Sequence, residues 1–180
     1  MNICRRLFVV PLADGDHGKS TIVRSLVSQG VRQNIKLHKK DVRRMITPWG
    51  QTIDAYVFGR SYQESEKSKH GSVKKALDNN DADWEKRELI VMPSHIGGSS
   101  DITDIQEMIR LAHLAGFDAI AVPIVYYDDQ DDNRAALAPA LALNWDARWT
   151  VSNPWQKDPE GQLVALGNDL WSWISRALAQ

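Results

Sequence analysis

Cysteine is almost absent from this chain: 180 residues contain one, Cys4. That excludes an internal disulfide framework and a metal site built from several thiolates. Excess charge of either sign is also missing. Twenty-two Lys and Arg stand against 23 Asp and Glu, a formal net charge of -1, so no global field draws the protein onto nucleic acid or an anionic membrane. No apolar run approaches the roughly 20 residues that cross a bilayer. The run from Leu7 to Ala13 follows Arg5 and Arg6 in the manner of a signal peptide. It meets Asp14 and Asp16 with no small-residue cleavage site, so a buried strand is the better reading. The sequence shows no internal repeat and no low-complexity linker. The expectation is a cytoplasmic protein with one domain over residues 1–180, long enough to bury a substantial core.

What is present is an alternation of strand and helix patterns. Leu7 to Leu12 reads as a buried parallel strand, with Pro11 awkward inside it because proline removes a ladder donor. From Lys19 the pattern turns helical: Ile22, Val23, Leu26 and Val27 share a face, and Gly30 is a candidate stop. Residues 34–46 are basic and read as helical, and "TPWGQ" breaks them before a short strand at 53–58. Residues 59–88 are polar and read as a solvated, mobile insert. A second core strand falls in "ELIVMPSH" at 88–95, and a helix follows from about Ile102 to Ala115. A third strand lies in "GFDAIAVPIVYY" at 116–127. An alanine-rich helix at 132–143, a fourth strand at 148–153 and a closing helix over 163–179 complete the chain. This order predicts an α/β fold: a three-layer sandwich with a mainly parallel sheet. Ligands of such sheets bind beyond the carboxyl ends of the strands.

The first of those ends carries "LADGDHGKST", residues 12–21. Gly18, Lys19, Ser20 and Thr21 match the end of the G-x-x-x-x-G-K-[ST] pattern. There, successive backbone N–H groups wrap phosphate oxygens at a helix N-terminus, the lysine reaches the outer phosphates and the hydroxyl meets magnesium. Ala13 stands where the first glycine is usual. A strand before the loop and a helix after it are the required context. The candidate nucleotide-binding residues are therefore Ala13, Asp14, Gly15, Asp16, His17, Gly18, Lys19, Ser20 and Thr21, with Ser20 as the metal ligand.

On these residues the chain resembles P-loop nucleoside triphosphatases and kinases. The Asp-His-Gly-Lys run is locally similar to that of translational GTPases. However, no NKxD guanine reader is present, and "DPEG" at 158–161 matches DxxG too late in the chain. The remaining layout, "ELIVMPSHIGG…AHLAGFDAIAVPIVYYDD", resembles small P-loop kinases of the polynucleotide-kinase and zeta-toxin kind. The resemblance implies a P-loop NTPase-like fold, ATP and Mg²⁺ as cofactors and transfer of a phosphoryl group to a small or nucleotide-like acceptor. "KKDVRRM" would supply Asp41, Arg43 and Arg44 near that acceptor, and Arg134 or Arg148 would serve as the lid arginine. One departure stands out: the strand ending in Pro93, Ser94 and His95 lacks the carboxylate expected there.

Several residues carry two readings. Asp14 and Asp16 meet Mg²⁺ or a substrate hydroxyl, or else cap the helix and turn. His95 replaces the missing acid as a proton acceptor, or is a hydrogen-bonded loop histidine. Lys36, Lys39, Lys40, Arg43 and Arg44 hold an anionic acceptor or a nucleic acid end, or form a solvated face. Asp128, Asp129, Asp131 and Asp132 bind a cation or are solvated. Asn153 reads an adenine edge or initiates a turn before Pro154. The tryptophans from Trp145 to Trp173 pack in the core, stack on a base or form a partner surface. The candidate catalytic set is Lys19, Asp16, His95 and Arg134. The rival class is a switch ATPase of the plasmid partition or mobilisation kind, a homodimer or partner-binding protein with weak or no turnover.

Overall fold

A computed structural model describes residues 3–128 and 132–180. Asp129 and Asp131 of the acidic run lie outside them. In chain order the elements are β1 (Leu7–Leu12), α1 (Lys19–Val31), β2 (Asp41–Ile46), β3 (Thr52–Val57), α2 (Tyr62–Ser65), α3 (Lys67–His70) and α4 (Val73–Asn80). A 3-10 turn at Trp84–Lys86 leads to β4 (Leu89–Val91), α5 (Ser99–Leu114) and β5 (Asp118–Tyr127). Then come α6 (Arg134–Leu141), β6 (Ala147–Arg148), β7 (Val151–Pro154) and α7 (Glu160–Leu178).

The sheet runs β2-β3-β4-β1-β5-β6, with β7 also paired to β5. All pairings are parallel except β2 with β3. Strand β1 is buried along its whole length at the centre. Its alternate side chains divide between two cores. Leu7 and Val9 face α1 and α7, with Val23, Leu26, Leu170 and Ile174. Phe8, Val10 and Leu12 face the opposite layer, with Ile105, Met108 and Ala112 of α5 and Leu137 of α6. The architecture is thus an α/β sheet with helices on both faces. The helix after β1 packs on one face and the helix after β4 on the other. A crevice opens between those two strand ends, the position at which ligands bind in open α/β sheets. Pro11 sits opposite Pro93 in the register continued from Val9↔Val91, where it offers no donor to the neighbouring chain. The ladder resumes when Ser94 N–H donates to the Pro11 carbonyl at 2.9 Å.

Four expectations are corrected. The basic stretch 34–46 is not a helix: residues 41–46 form β2, an edge strand in a hairpin with β3. The hairpin closes where Thr47 N–H donates to Gln51 O at 2.8 Å and Gly50, at φ 86°, donates to Thr47 O at 2.9 Å. Only Met45 of β2 is buried, so the strand carries almost no apolar signal. Gly30 does not stop α1, which runs to Val31 and ends at Arg32 with φ 56°. Gly30 packs against Met45 instead: a Cβ there would stand 2.1 Å from Met45 Cε, so that side chain would have to shift. Residues 59–88 are packed rather than solvated, since Tyr62, Val73, Ala76, Leu77 and Trp84 all enter the second core. The strand expected at 148–153 is two short ones, broken at Trp149 and Thr150, that occupy successive positions along β5.

Of the late tryptophans, Trp171 is in the first core. Trp149 and Trp173 stack on each other at 6.1 Å beside it. Trp145 packs on the second core and donates its Nε1–H to Ala140 O at 2.8 Å. Trp155 alone of the five is well exposed, at 59%. Among the described residues no helix is long and apolar enough to cross a membrane.

Helices α1 and α7 touch closely at Gly167. A Cβ there would stand 2.5 Å from Ser25 Cβ and 2.6 Å from the Ile22 carbonyl oxygen, and neither is the free end of a flexible side chain. Gly161, in the same helix, has nothing within 4 Å. Gly167→Ala is expected to destabilise the fold by about 1–3 kcal/mol through overpacking. Gly161→Ala is expected to be neutral or to add about 0.5–1 kcal/mol by helix propensity. Urea unfolding of both variants against wild type checks the contrast.

Candidate functional site

The loop 13–18 leaves β1 and feeds α1, and its backbone requires two positive φ angles. Gly18, the residue before α1, sits at φ 94°, and a Cβ there would also strike Leu163 Cδ2 at 2.5 Å. Asp16 sits at φ 60°, a conformation that Asp tolerates better than most residues. Ala13 has no positive φ and is fully buried, so its place in the loop does not need glycine.

Two buried asparagines brace the loop from the far side. Asn153, on β7, donates its Nδ2–H to the His17 carbonyl at 3.0 Å, while its Oδ1 accepts from Gln162 Nε2 at 2.9 Å. Asn133 meets His17 Nδ1 at 3.3 Å and donates to Ile124 O at 2.9 Å. The His17 ring stacks on Tyr126, centroids 4.5 Å apart and planes within 8°. The His17 ring is thus packed between Tyr126 and Asn133. Asn153 is neither a turn initiator alone nor exposed to a base: it is 4% exposed and committed to the loop. Asn153 and Tyr126 lie at strand ends and Asn133 just before α6, and the His17 that all three meet is more than a hundred positions away, a relation that no local pattern reveals.

Lys19 folds back across the loop. Its Nζ donates to the Ala13 carbonyl at 2.6 Å and to the Asp14 carbonyl, and the residue is 5% exposed. Burial pulls its pKa from 10.5 down to about 8, opposed by the nearby carboxylates of Glu64, Asp14 and Asp16. A cavity of about 360 Å³ opens over it, lined by Gly15, Asp16, Gly18, Lys19, Ser20, Thr21, Glu64 and Leu163. Six of these eight belong to the predicted loop. Ser20 is exposed at the first turn of α1. Asp14 turns elsewhere: its Oδ1 would stand 3.1 Å from a Cβ on Gly97. A larger cavity of about 690 Å³ runs along α1 and α7 past Arg24, Ser28, Lys36 and Asn168, and none of residues 13–21 lines it.

Glu64, which no sequence pattern marked, enters the site from α2. His95 meets it there, Nε2 to Oε1 at 2.9 Å. Gln63 fastens this corner to the end of β4. It accepts from His95 N–H at 2.9 Å and donates to Ser94 Oγ at 2.9 Å, while Tyr62 N–H donates to Pro93 O at 2.9 Å.

The remaining candidates lie around this centre. Arg134 follows Asn133 and is exposed, its guanidinium paired with Asp132. Asp128 accepts from Tyr126 Oη at 2.9 Å. Asp41 is exposed and accepts from Val42 N–H at 2.8 Å. In the basic set, Lys40 is engaged with the buried Glu66 at 2.7 Å, Arg43 donates to Lys39 O at 3.1 Å and Arg44 lies 3.8 Å from Asp54. Arg148 is exposed on β6. Among the described residues no group of three or more His, Cys, Asp or Glu is placed to hold a metal ion.

No protein-family model matches the chain, and no curated protein matches its sequence.

The buried ammonium has a measurable signature. The unfolded chain holds the Lys19 proton up to about pH 10.5, whereas the folded chain releases it above about pH 8. Stability therefore rises with pH through that window. Lys19→Met removes the buried charge, so its stability advantage over wild type is expected to be largest below pH 8. That advantage should shrink by about 3 kcal/mol towards pH 10.5. Paired urea titrations at pH 7 and pH 10.5 test this, and a difference independent of pH would contradict it.

Proposed function

We propose that this protein binds a nucleoside triphosphate, ATP, at residues 13–21 and transfers its terminal phosphoryl group to a small or nucleotide-like hydroxyl acceptor. The observation that carries the reading is Lys19, a buried cation held at a loop that ends in a helix N-terminus, below a cavity of about 360 Å³. Anions bind at such termini because unpaired N–H groups and the helix dipole both face them. The resemblance to P-loop kinases supports the same assignment. Lys19 and the loop amides hold the β- and γ-phosphates. A phosphate oxygen replaces the Ala13 and Asp14 carbonyls as the partner of the ammonium, and its negative charge holds the lysine's proton more tightly. Arg134, one residue beyond the Asn133 that meets His17, is the arginine that release from Asp132 would free for the transferring group.

The donor set suits Mg²⁺ in the way that phosphotransferases hold it. Magnesium takes oxygen ligands and keeps several waters, resting on one or two protein groups and on substrate phosphates rather than in an all-protein cage. The Ser20 hydroxyl at the cavity wall supplies one such ligand, and the lack of a carboxylate cluster among the described residues is compatible with that mode. When bound, the ion neutralises charge on the phosphates.

Calorimetric titration of Mg²⁺-ATP and Mg²⁺-GTP into wild type and Lys19→Ala tests the reading. Loss of a charge-assisted contact predicts that the variant binds ATP at least about tenfold more weakly. Equal affinity of the two proteins would remove the nucleotide from the account. Binding without phosphate release, accompanied by a change in oligomeric mass, would favour a partner-binding switch over a phosphotransferase.

A further inference from the structure

We propose that Glu64 is the group that takes the proton from the acceptor hydroxyl, and that His95 is its positioning residue. The inference rests on the nucleotide reading above. Two carboxylates line the cavity over Lys19 among the described residues, Asp16 and Glu64. Asp16 belongs to the phosphate loop itself. Glu64 comes from α2, and so faces the loop from the opposite wall. Asp14 is turned to Gly97, and Asp41 is exposed at the start of an edge strand, bonded to its neighbour's amide. The end of β4, where a carboxylate is expected, offers only Pro93, Ser94 and His95. His95 does not replace the missing acid directly; its Nε2 meets Glu64 Oε1 at 2.9 Å. With Nε2 as the donor tautomer, the ring fixes one carboxylate oxygen. Among the described residues the other, Oε2, makes no hydrogen bond.

The pair is held rigidly, as a proton acceptor must be. Gln63 accepts from the His95 amide and donates to Ser94 Oγ and, at 3.2 Å, to Asp104 Oδ2. Lys67 pairs with the same Asp104 carboxylate at 2.7 Å. A carboxylate beside a triphosphate is electrostatically costly, which disfavours this placement unless it is used. Its field is the largest of the three that keep Lys19 protonated against burial.

In the proposed step the acceptor oxygen attacks the γ-phosphorus. Its O–H bond breaks, the proton goes to Glu64 and a new O–P bond forms. The bond from the bridging oxygen to the γ-phosphorus breaks, and ADP leaves with the electron pair. Water fills the acceptor's role when no alcohol is present, which gives an assay that needs no identified acceptor.

The test measures phosphate release from Mg²⁺-ATP in water, together with ATP affinity and Mg²⁺ dependence. Wild type is compared with Glu64→Gln, His95→Ala and His95→Gln. Glu64→Gln, isosteric and away from the core, is expected to lower kcat by about 10²-fold or more while ATP affinity stays within about twofold. His95→Ala should lower kcat with little change in KM, and His95→Gln, which keeps an N–H donor, should recover most of it. Wild-type turnover in Glu64→Gln overturns the proposal. So does a shift of its Mg²⁺ dependence or loss of its ATP binding, since either would make Glu64 a metal or nucleotide ligand. Wild type that binds ATP but releases no phosphate also overturns it and leaves nucleotide binding standing. Failure of wild type to bind ATP overturns both readings.

Discussion

The site depends on one buried ammonium. Lys19 gives up hydration to lie across its own loop, and the Ala13 and Asp14 carbonyls compensate only in part, so its proton is held weakly for a lysine. A neutral side chain in the same place would cost less, and a cation is worth its desolvation only where a strong anion replaces the carbonyls. The carboxylates of Glu64, Asp14 and Asp16 offset part of that cost, and they add negative charge that an incoming phosphate must face. In the proposed nucleotide complex, lysine, phosphate and a cation form a set in which each term is unfavourable without the others.

Holding a lysine in that position requires a loop that does not move. The bracing is asymmetric. On one side the loop is fastened by backbone to its neighbours, with Ala13 N–H on Ser94 O at 3.4 Å. On the other it is fastened by Asn133 and Asn153, buried side chains that each also bond to a second partner. Behind it α1 and α7 run close together, and glycine at 167 is what permits their approach. The packing of the last helix is therefore part of the geometry of a loop that begins at residue 13.

The fold and the loop were legible in the sequence to different depths. Strand β1, helix α1 and the strand-loop-helix context emerge from short apolar patterns, because these elements are buried on the sheet's central axis and every residue there reports its environment. The edge failed for the opposite reason. In β2, Met45 alone is buried, so residues 41–46 show neither a period of two nor one of 3.6, and the run of Lys and Arg before them dominates the reading. The segment 59–88 misled similarly. Its apolar residues are few, yet Tyr62 and Trp84 are large and fully used, so a low density of apolar positions concealed a packed layer.

The same segment explains why the Glu64–His95 corner was only half visible. The resemblance to P-loop kinases implies a carboxylate at the end of β4, and its absence from "PSH" reads as a deficit. In three dimensions the tight turn after β3 places α2 directly against that strand end, with Tyr62 N–H on Pro93 O and Gln63 clasping Ser94 and His95. The acid arrives from a four-residue helix, thirty-one positions earlier than the histidine it meets. Short helices carry no periodic signature, and a pairing between two loops is set by the packing of the elements that flank them. A carboxylate is present in the crevice, but the chain delivers it from α2, the helix that follows the neighbouring strand β3. The strand-end rule locates the crevice without identifying which segment fills it.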